Sequence, residues 1–126
     1  MSNSNHHVAV LGASPKPDRF SNKAIRLLLE HGFSVIPVHP ALTEIENLAV
    51  KANLSAINTP VDTLTLYVGP ARLEGMIEEI ISSKPGRVIF NPGTETKSLQ
   101  DALDKAGIPW QENCTLILLN NNQFLA

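Results

Sequence analysis

Gly12, Ala13, Ser14, Lys16, Arg19, Phe20 and Ser21 stand between an apolar run, Val8-Ala-Val-Leu11, and an amphipathic stretch, and their chemistry is that of an anion cradle. A helix that opens there offers unpaired backbone N–H groups and a partial positive charge to a phosphate or pyrophosphate. Lys16, Arg19 and Ser21 add side-chain donors, and Pro15 and Pro17 stiffen the loop that carries them. A nucleotide-like ligand is the functional reading. An ordinary strand-to-helix turn, with Ser21 as N-cap and solvated charges, accounts for the same residues without a ligand.

Such a loop works only if an alternating α/β chain positions it. β-branched and apolar residues predict strands over 6–11, 33–38, 63–68 and 87–91, with a short one over 108–111. Between the first two, Ala24, Leu27, Leu28 and His31 keep the helical period and Gly32 supplies a left-handed stop. Leu73, Met76, Ile77, Ile80 and Ile81 form a second helical face, broken by Lys84-Pro-Gly86. Leu99, Ala102, Leu103 and Ala106 form a third, ended by Gly107. A short helix is expected around 43–48 and a small strand or turn near 49–51. The run 114–119 reads equally as a buried strand or a last helical turn, and 120–123 is polar and turn-like. Repeated crossovers imply an α/β, Rossmann-like three-layer fold with a mostly parallel sheet. Residues 1–5 read as a flexible tail and 6–126 as one domain. Ligands in such sheets sit beyond the carboxyl ends of the strands. Residues 12–21, 37–40, 69–72 and 91–95 all fall there.

The chain has 126 residues, 43% hydrophobic, which suits a single domain with a real core. A formal charge of −2 gives no broad attraction to nucleic acid or anionic lipid, so phosphate recognition must be local. With a single cysteine there is no intramolecular disulfide, and with neither a leader nor a bilayer-length apolar run a cytoplasmic protein is expected. His6, His7, His31 and His39 share no metal-ligand spacing, and no metal is expected.

A dinucleotide fingerprint would place three glycines in the first loop and an acid at the end of the second strand to hold the ribose diol. This chain has Gly12 alone there, and its second strand runs out in Pro37-Val-His-Pro40. A neutral or cationic His39 tolerates a phosphorylated ribose instead. Val8-Ala-Val-Leu-Gly-Ala-Ser14, Gly32-Phe-Ser-Val-Ile-Pro-Val-His-Pro40, and residues 62–68 followed by Gly69-Pro70 together resemble the small stand-alone CoA-binding proteins. Their domain is similar to the N-terminal domain of the succinyl-CoA synthetase α subunit. The resemblance covers almost the whole chain. It departs at His39, where the familiar segment is Pro-Val-Asn-Pro, and at Asn91-Pro-Gly-Thr-Glu95. That second segment either shapes the thiol end for a particular acyl group or is a left-handed turn capped by Thr94, and the turn is the reading taken.

The resemblance implies that Gly12, Ala13, Ser14, Lys16, Arg19, Phe20 and Ser21 cradle CoA phosphates. It implies that Pro37, Val38, His39, Pro40, Val68, Gly69, Pro70, Arg72 and Leu73 border the adenosine, and that Asn91, Pro92 and Gly93 approach the pantetheine. Pro70 and Leu73 are then the apolar edge for the purine. Cys114 follows the last strand toward the carboxyl edge, where the pantetheine thiol should lie; it is expected as a buried packing thiol, with a mixed disulfide to CoA as the alternative. The synthetases also need a phosphorylatable histidine in a second domain, and these 126 residues leave no room for one. Glu74, Glu78 and Glu79 read as a solvated helix face rather than an acid/base set. The expectation is a non-catalytic module that senses, stores or presents CoA or an acyl-CoA, with the small molecule as its partner and no nucleic acid or membrane. The alternatives are an NAD(P)-linked oxidoreductase and a ligand-free scaffold on the same fold.

Overall fold

The computed structural model describes residues 3–125. Within β1 (His7–Leu11), Val8 and Val10 point to one face and Ala9 and Leu11 to the other, the period of a strand, and all four are buried. β5 (Thr63–Leu66) and β6 (Arg87–Phe90) repeat the pattern. Leu64, Leu66, Val88 and Phe90 join Ala9 and Leu11, while Ile89 joins Val8 and Val10. Strands apolar on both faces need cover on both. α1 (Phe20–Glu30) and α5 (Thr115–Asn120) pack together over Val8 and Val10, through Ile25, Leu28, Leu118 and Leu119. α2 (Pro70–Glu74), α3 (Ile77–Ser83) and α4 (Lys97–Ala106) cover the other face with Leu73, Ile80, Leu99 and Leu103.

Among the described residues, these strands, β2 (Ser34–Val38) and β7 (Trp110–Glu112) make one five-stranded sheet in the order β2-β1-β5-β6-β7, every pair parallel. The expected Rossmann-like three-layer fold is the observed one. The order reverses between β1 and β5: the chain leaves β1 toward one edge and β5 toward the other. The loops after them therefore part at the carboxyl edge and open a crevice.

Three local expectations change. The helix expected over 43–48 is a hairpin of β3 (Glu44–Ile45) and β4 (Leu48–Ala49), turned by Glu46 (φ 50°) and Asn47 (φ 63°). Two consecutive left-handed residues match the twist of paired strands, and Asn22 Nδ2, donating to Glu46 Oε2 at 3.1 Å, holds the turn from α1. The second helical stripe is divided at Gly75 and Met76 into α2 and α3, although both pieces bury their apolar residues in one cluster. The run after Cys114 is helical, and β7 starts at Trp110. Met1 and Ser2, read as part of the tail, lie outside the described residues. Asn3 Nδ2 donates to the His31 carbonyl at 2.8 Å, and Ser34 Oγ to the Ser4 carbonyl at 2.7 Å.

At the opposite, amino edge of the sheet, His6 lies edge-on to Phe33 and Phe124, with ring centroids 5.4 and 6.1 Å away, and its Nε2 is 2.9 Å from Thr63 Oγ1. Thr63 Oγ1 accepts from Arg87 Nε at 2.8 Å, so its own proton is free to go to a neutral imidazole. Burial lowers the His6 pKa from 6.5; Arg87 and His7 push the same way and Asp62 opposes them. The unfolded chain therefore takes up the proton first. The stability held by neutral His6 is complete above the unfolded value and is lost as pH falls from about 6.5 through the folded value. Melting temperatures from pH 7.5 to 5 should fall more steeply for the native chain than for His6→Gln. Parallel slopes would remove His6 from the acid response.

Candidate functional site

The loop after β1 is held from behind. Asn22, fully buried in α1, donates from Nδ2 to the Ser14 carbonyl at 2.9 Å; its Oδ1 accepts from Arg26 Nε at 2.8 Å, and Arg26 Nη2 reaches the Pro17 carbonyl at 2.8 Å. Ser14 Oγ accepts from the Lys16 N–H at 3.1 Å. With the loop clamped on its inner side, exposed Lys16 and Arg19 stand on its outer side. Among the described residues the ion pairs are His7–Asp62 and Lys97–Asp101, so Lys16, Arg19 and Arg72 have no carboxylate partner. Unpaired cations ringing a concave surface are what a phosphate ligand requires.

α1 begins at Phe20 with Arg19 as N-cap and no side-chain capping bond, so Ser21 is not the cap. The first N–H groups of the helix therefore have no acceptor from a capping side chain. At the end of β2, His39 Nδ1 accepts from the Ala41 and Leu42 N–H groups at 3.0 and 3.1 Å. A nitrogen accepting two backbone donors carries no proton, which makes Nε2 the donor of the ring. No acid follows directly, and Glu46 is engaged by Asn22.

β5 and β6 supply the remaining walls. Gly12, at φ +89°, lies so close to the neighbouring strand that a Cβ there would be 2.8 Å from the Tyr67 carbonyl oxygen and 2.9 Å from Val68 Cγ2. The Tyr67 N–H donates to the Leu11 carbonyl at 2.8 Å. The Tyr67 hydroxyl is buried beside Thr65 and Thr115 without meeting hydrogen-bond geometry to either, and burial pushes its pKa up to about 12. Asn91, 3% exposed, donates from Nδ2 to Thr65 Oγ1 at 2.7 Å and to the Leu66 carbonyl at 2.8 Å, and its Oδ1 accepts the Thr115 N–H at 2.9 Å. Its carbonyl accepts from the N–H and hydroxyl of Thr94, closing the turn around Gly93 (φ +93°) as the sequence suggests.

These loops enclose one groove in three connected parts. A part of about 500 Å³ lies among Ser14, Lys16, Arg19, His39, Pro40 and Arg72. A part of about 310 Å³ lies between Gly12, Ser14, Arg19, Phe20 and Ser21 on one side and Val68, Gly69, Pro92 and Gly93 on the other. A third, of about 180 Å³, is walled by Phe20, Tyr67, Asn91, Pro92, Cys114 and Leu116. Gly12, Ser14, Arg19 and Tyr67 are common to the first two, and Phe20, Tyr67 and Pro92 to the last two.

Several of the residues assigned from the sequence do not meet in this groove. Leu73 is fully buried in the core beneath α2 and has no surface for a purine, and Val38, 3% exposed, also belongs to that core. Pro37 is buried in β2, while Pro70 is exposed but outside the groove wall. Ala13 is 4% exposed and reaches the groove only at its edge. Asn91 has its amide engaged internally. Cys114, expected in the core, is half-buried and faces the third part of the groove. Tyr67, Leu42 and Leu116 escaped the sequence reading. For Tyr67 the signal was present: it continues the period-two face of Thr63 and Thr65 to the carboxyl end of β5. Among the described residues no group of three or more His, Cys, Asp or Glu could hold a metal, and no helix is long and apolar enough to cross a membrane.

A family model described as a CoA binding domain matches residues 6–120. A crystal structure of an uncharacterized protein superposes with a TM-score of 0.87 at 35% identity, covering 94% of this chain and 98% of that one. The "Uncharacterized protein YneT" of Bacillus subtilis (strain 168) is 29% identical over 76 residues, 60% of this chain and 56% of that protein, so the match spans little more than half of that relative. The "dinucleotide forming Acetyl-coenzyme A synthetase 1" of Ca. Korarchaeum cryptofilum, solved with phosphate and ADP, shares the fold: TM-score 0.75, 19% identity, 90% of this chain and 26% of that one.

Proposed function

The chain belongs to the CoA-binding domain family, and from that premise we propose that it binds CoA or an acyl-CoA reversibly, without transforming it, to sense, store or present it. The observation that carries this reading is the groove at the β1/β5 divergence, rimmed by Lys16, Arg19 and Arg72, none of which has a carboxylate partner. A ligand bearing a pyrophosphate and a ribose phosphate matches three separated cations. The lack of an acid after β2 argues against an unphosphorylated ribose in the adjoining part. On this reading the β1–α1 loop meets the pyrophosphate, and His39 Nε2, Lys16 and Arg72 surround the phosphorylated adenosine. The pantetheine chain, which leaves the far side of the pyrophosphate, runs past Gly69 and Gly93 on this reading.

A CoA concentration 100 times its dissociation constant adds about 2.7 kcal/mol to stability, which raises the melting temperature of a domain this size by about 5 to 12 °C. NAD should leave it unchanged. An NADH-induced shift without one from CoA would favour the oxidoreductase reading, and no shift with either would favour a scaffold. Lys16→Ala and Arg19→Ala should each weaken CoA binding about ten- to hundredfold, the loss of a charge-assisted contact, with little change in stability because both side chains are exposed. Titration calorimetry measures it; native affinity in both variants removes this loop from the phosphate site.

A further inference from the structure

The groove is graded from charged to apolar. Lys16, Arg19, His39 and Arg72 stand at one end, whereas the third part has no charged side chain in its wall. Its one amide, Asn91, is directed inward to Thr65, Leu66 and Thr115. Because the Tyr67 hydroxyl is buried beside Thr65 and Thr115, what Tyr67 offers this part is its ring. Phe20, 68% exposed and standing where the second and third parts meet, is a large apolar side chain that a ligand threading between them would cover.

Taking the CoA reading as its basis, we infer that the pocket between Phe20, Tyr67, Pro92, Cys114 and Leu116 holds the acyl chain of a short, uncharged acyl-CoA. With the phosphates at the charged end, the thioester end of the ligand is the part left to enter it. An apolar cavity of about 150 Å³ accepts a benzene-sized group, so the roughly 180 Å³ here suits a chain of about four to six carbons. A terminal carboxylate would enter a pocket whose wall holds no cation to receive it.

Calorimetric titration with CoA and with acetyl-, butyryl- and succinyl-CoA tests this. Each methylene buried should tighten binding about fourfold, making butyryl-CoA, two methylenes longer, roughly fifteenfold tighter than acetyl-CoA and at least tenfold tighter than succinyl-CoA, whose acyl group has the same number of carbons. Leu116→Trp, at a half-buried position, should fill the pocket and erase the butyryl preference, bringing the affinities for butyryl-CoA and acetyl-CoA together. In the native protein, iodoacetamide labelling of Cys114 should be slowed more by butyryl-CoA than by acetyl-CoA at equal saturation, both thioesters having no free thiol to consume the reagent. CoA binding with no dependence on chain length, succinyl-CoA as tight as butyryl-CoA, or a butyryl preference that survives Leu116→Trp would each overturn the acyl pocket alone. No binding of CoA or any thioester would overturn the CoA reading, and this inference with it.

Discussion

Gly12→Ala should lower the unfolding free energy by about 2 to 4 kcal/mol and abolish high-affinity ligand binding. Two costs combine. A non-glycine residue held at φ +89° loses about 1 to 2 kcal/mol, and forcing a Cβ into a packed site costs about 1 to 3 kcal/mol more. The atoms in the way are the Tyr67 carbonyl oxygen and carbon, at 2.8 and 2.9 Å, and Val68 Cγ2, at 2.9 Å. Two of these three are backbone of the segment that follows β5, so relief requires the chain leaving β1 and the chain leaving β5 to separate where the crevice opens. The reduced freedom of the unfolded alanine chain offsets the loss by under about 1 kcal/mol. Urea denaturation gives the stability change and CoA titration the binding loss. A variant within 0.5 kcal/mol of the native chain, about the scatter of ordinary surface substitutions, would show that β1 and β5 are not in the close contact described.

Asn91→Leu should cost about 2 to 5 kcal/mol although it keeps the branched shape and adds apolar surface. The side chain is 3% exposed and makes three hydrogen bonds, to Thr65 Oγ1, the Leu66 carbonyl and the Thr115 N–H. Thr65 and Thr115 retain each other through their 2.8 Å hydroxyl contact, but the Leu66 carbonyl and the Thr115 N–H lose the side-chain partner. Each buried group left unsatisfied costs about 1 to 3 kcal/mol. Because Thr115 is the first residue of α5 and Asn91 begins the turn at Gly93, the loss should extend to the groove. Hydrogen exchange at the Thr115 amide should accelerate together with the fall in denaturant midpoint. An unchanged midpoint with native protection at Thr115 would show that these bonds do not hold the sheet to α5.

Asn91 marks the boundary of what a linear reading can reach. From the sequence it is a loop residue near the pantetheine; in the structure it is a staple between β5, β6 and α5. Its side-chain partners lie 24 to 26 residues away, and the parallel register that pairs Leu66 with Phe90 brings them together. Leu73 and Val38 moved from groove to core for a related reason: alternation and helical period tell which residues share a face, not which neighbour covers it.

What the sequence determined by itself was local and repetitive. Strands of β-branched residues, helices of period 3.6 and the glycine stops at Gly32 and Gly107 specified a parallel α/β sheet, and Gly12 with Lys16 and Arg19 marked the edge of the sheet where the groove lies. The turn at Glu46 and Asn47, the break between α2 and α3, the burial of Leu73 and the apolar pocket beside Cys114 were decided by the tertiary structure. Each depends on contacts between segments far apart in the chain. The left-handed turn is held by Asn22 across 24 residues, and the pocket has walls from α1, the segments that follow β5 and β6, and α5. Local propensity differs by under about 1 kcal/mol per residue among ordinary residues, less than the burial and hydrogen bonds that packing brings at such places, and there packing prevails.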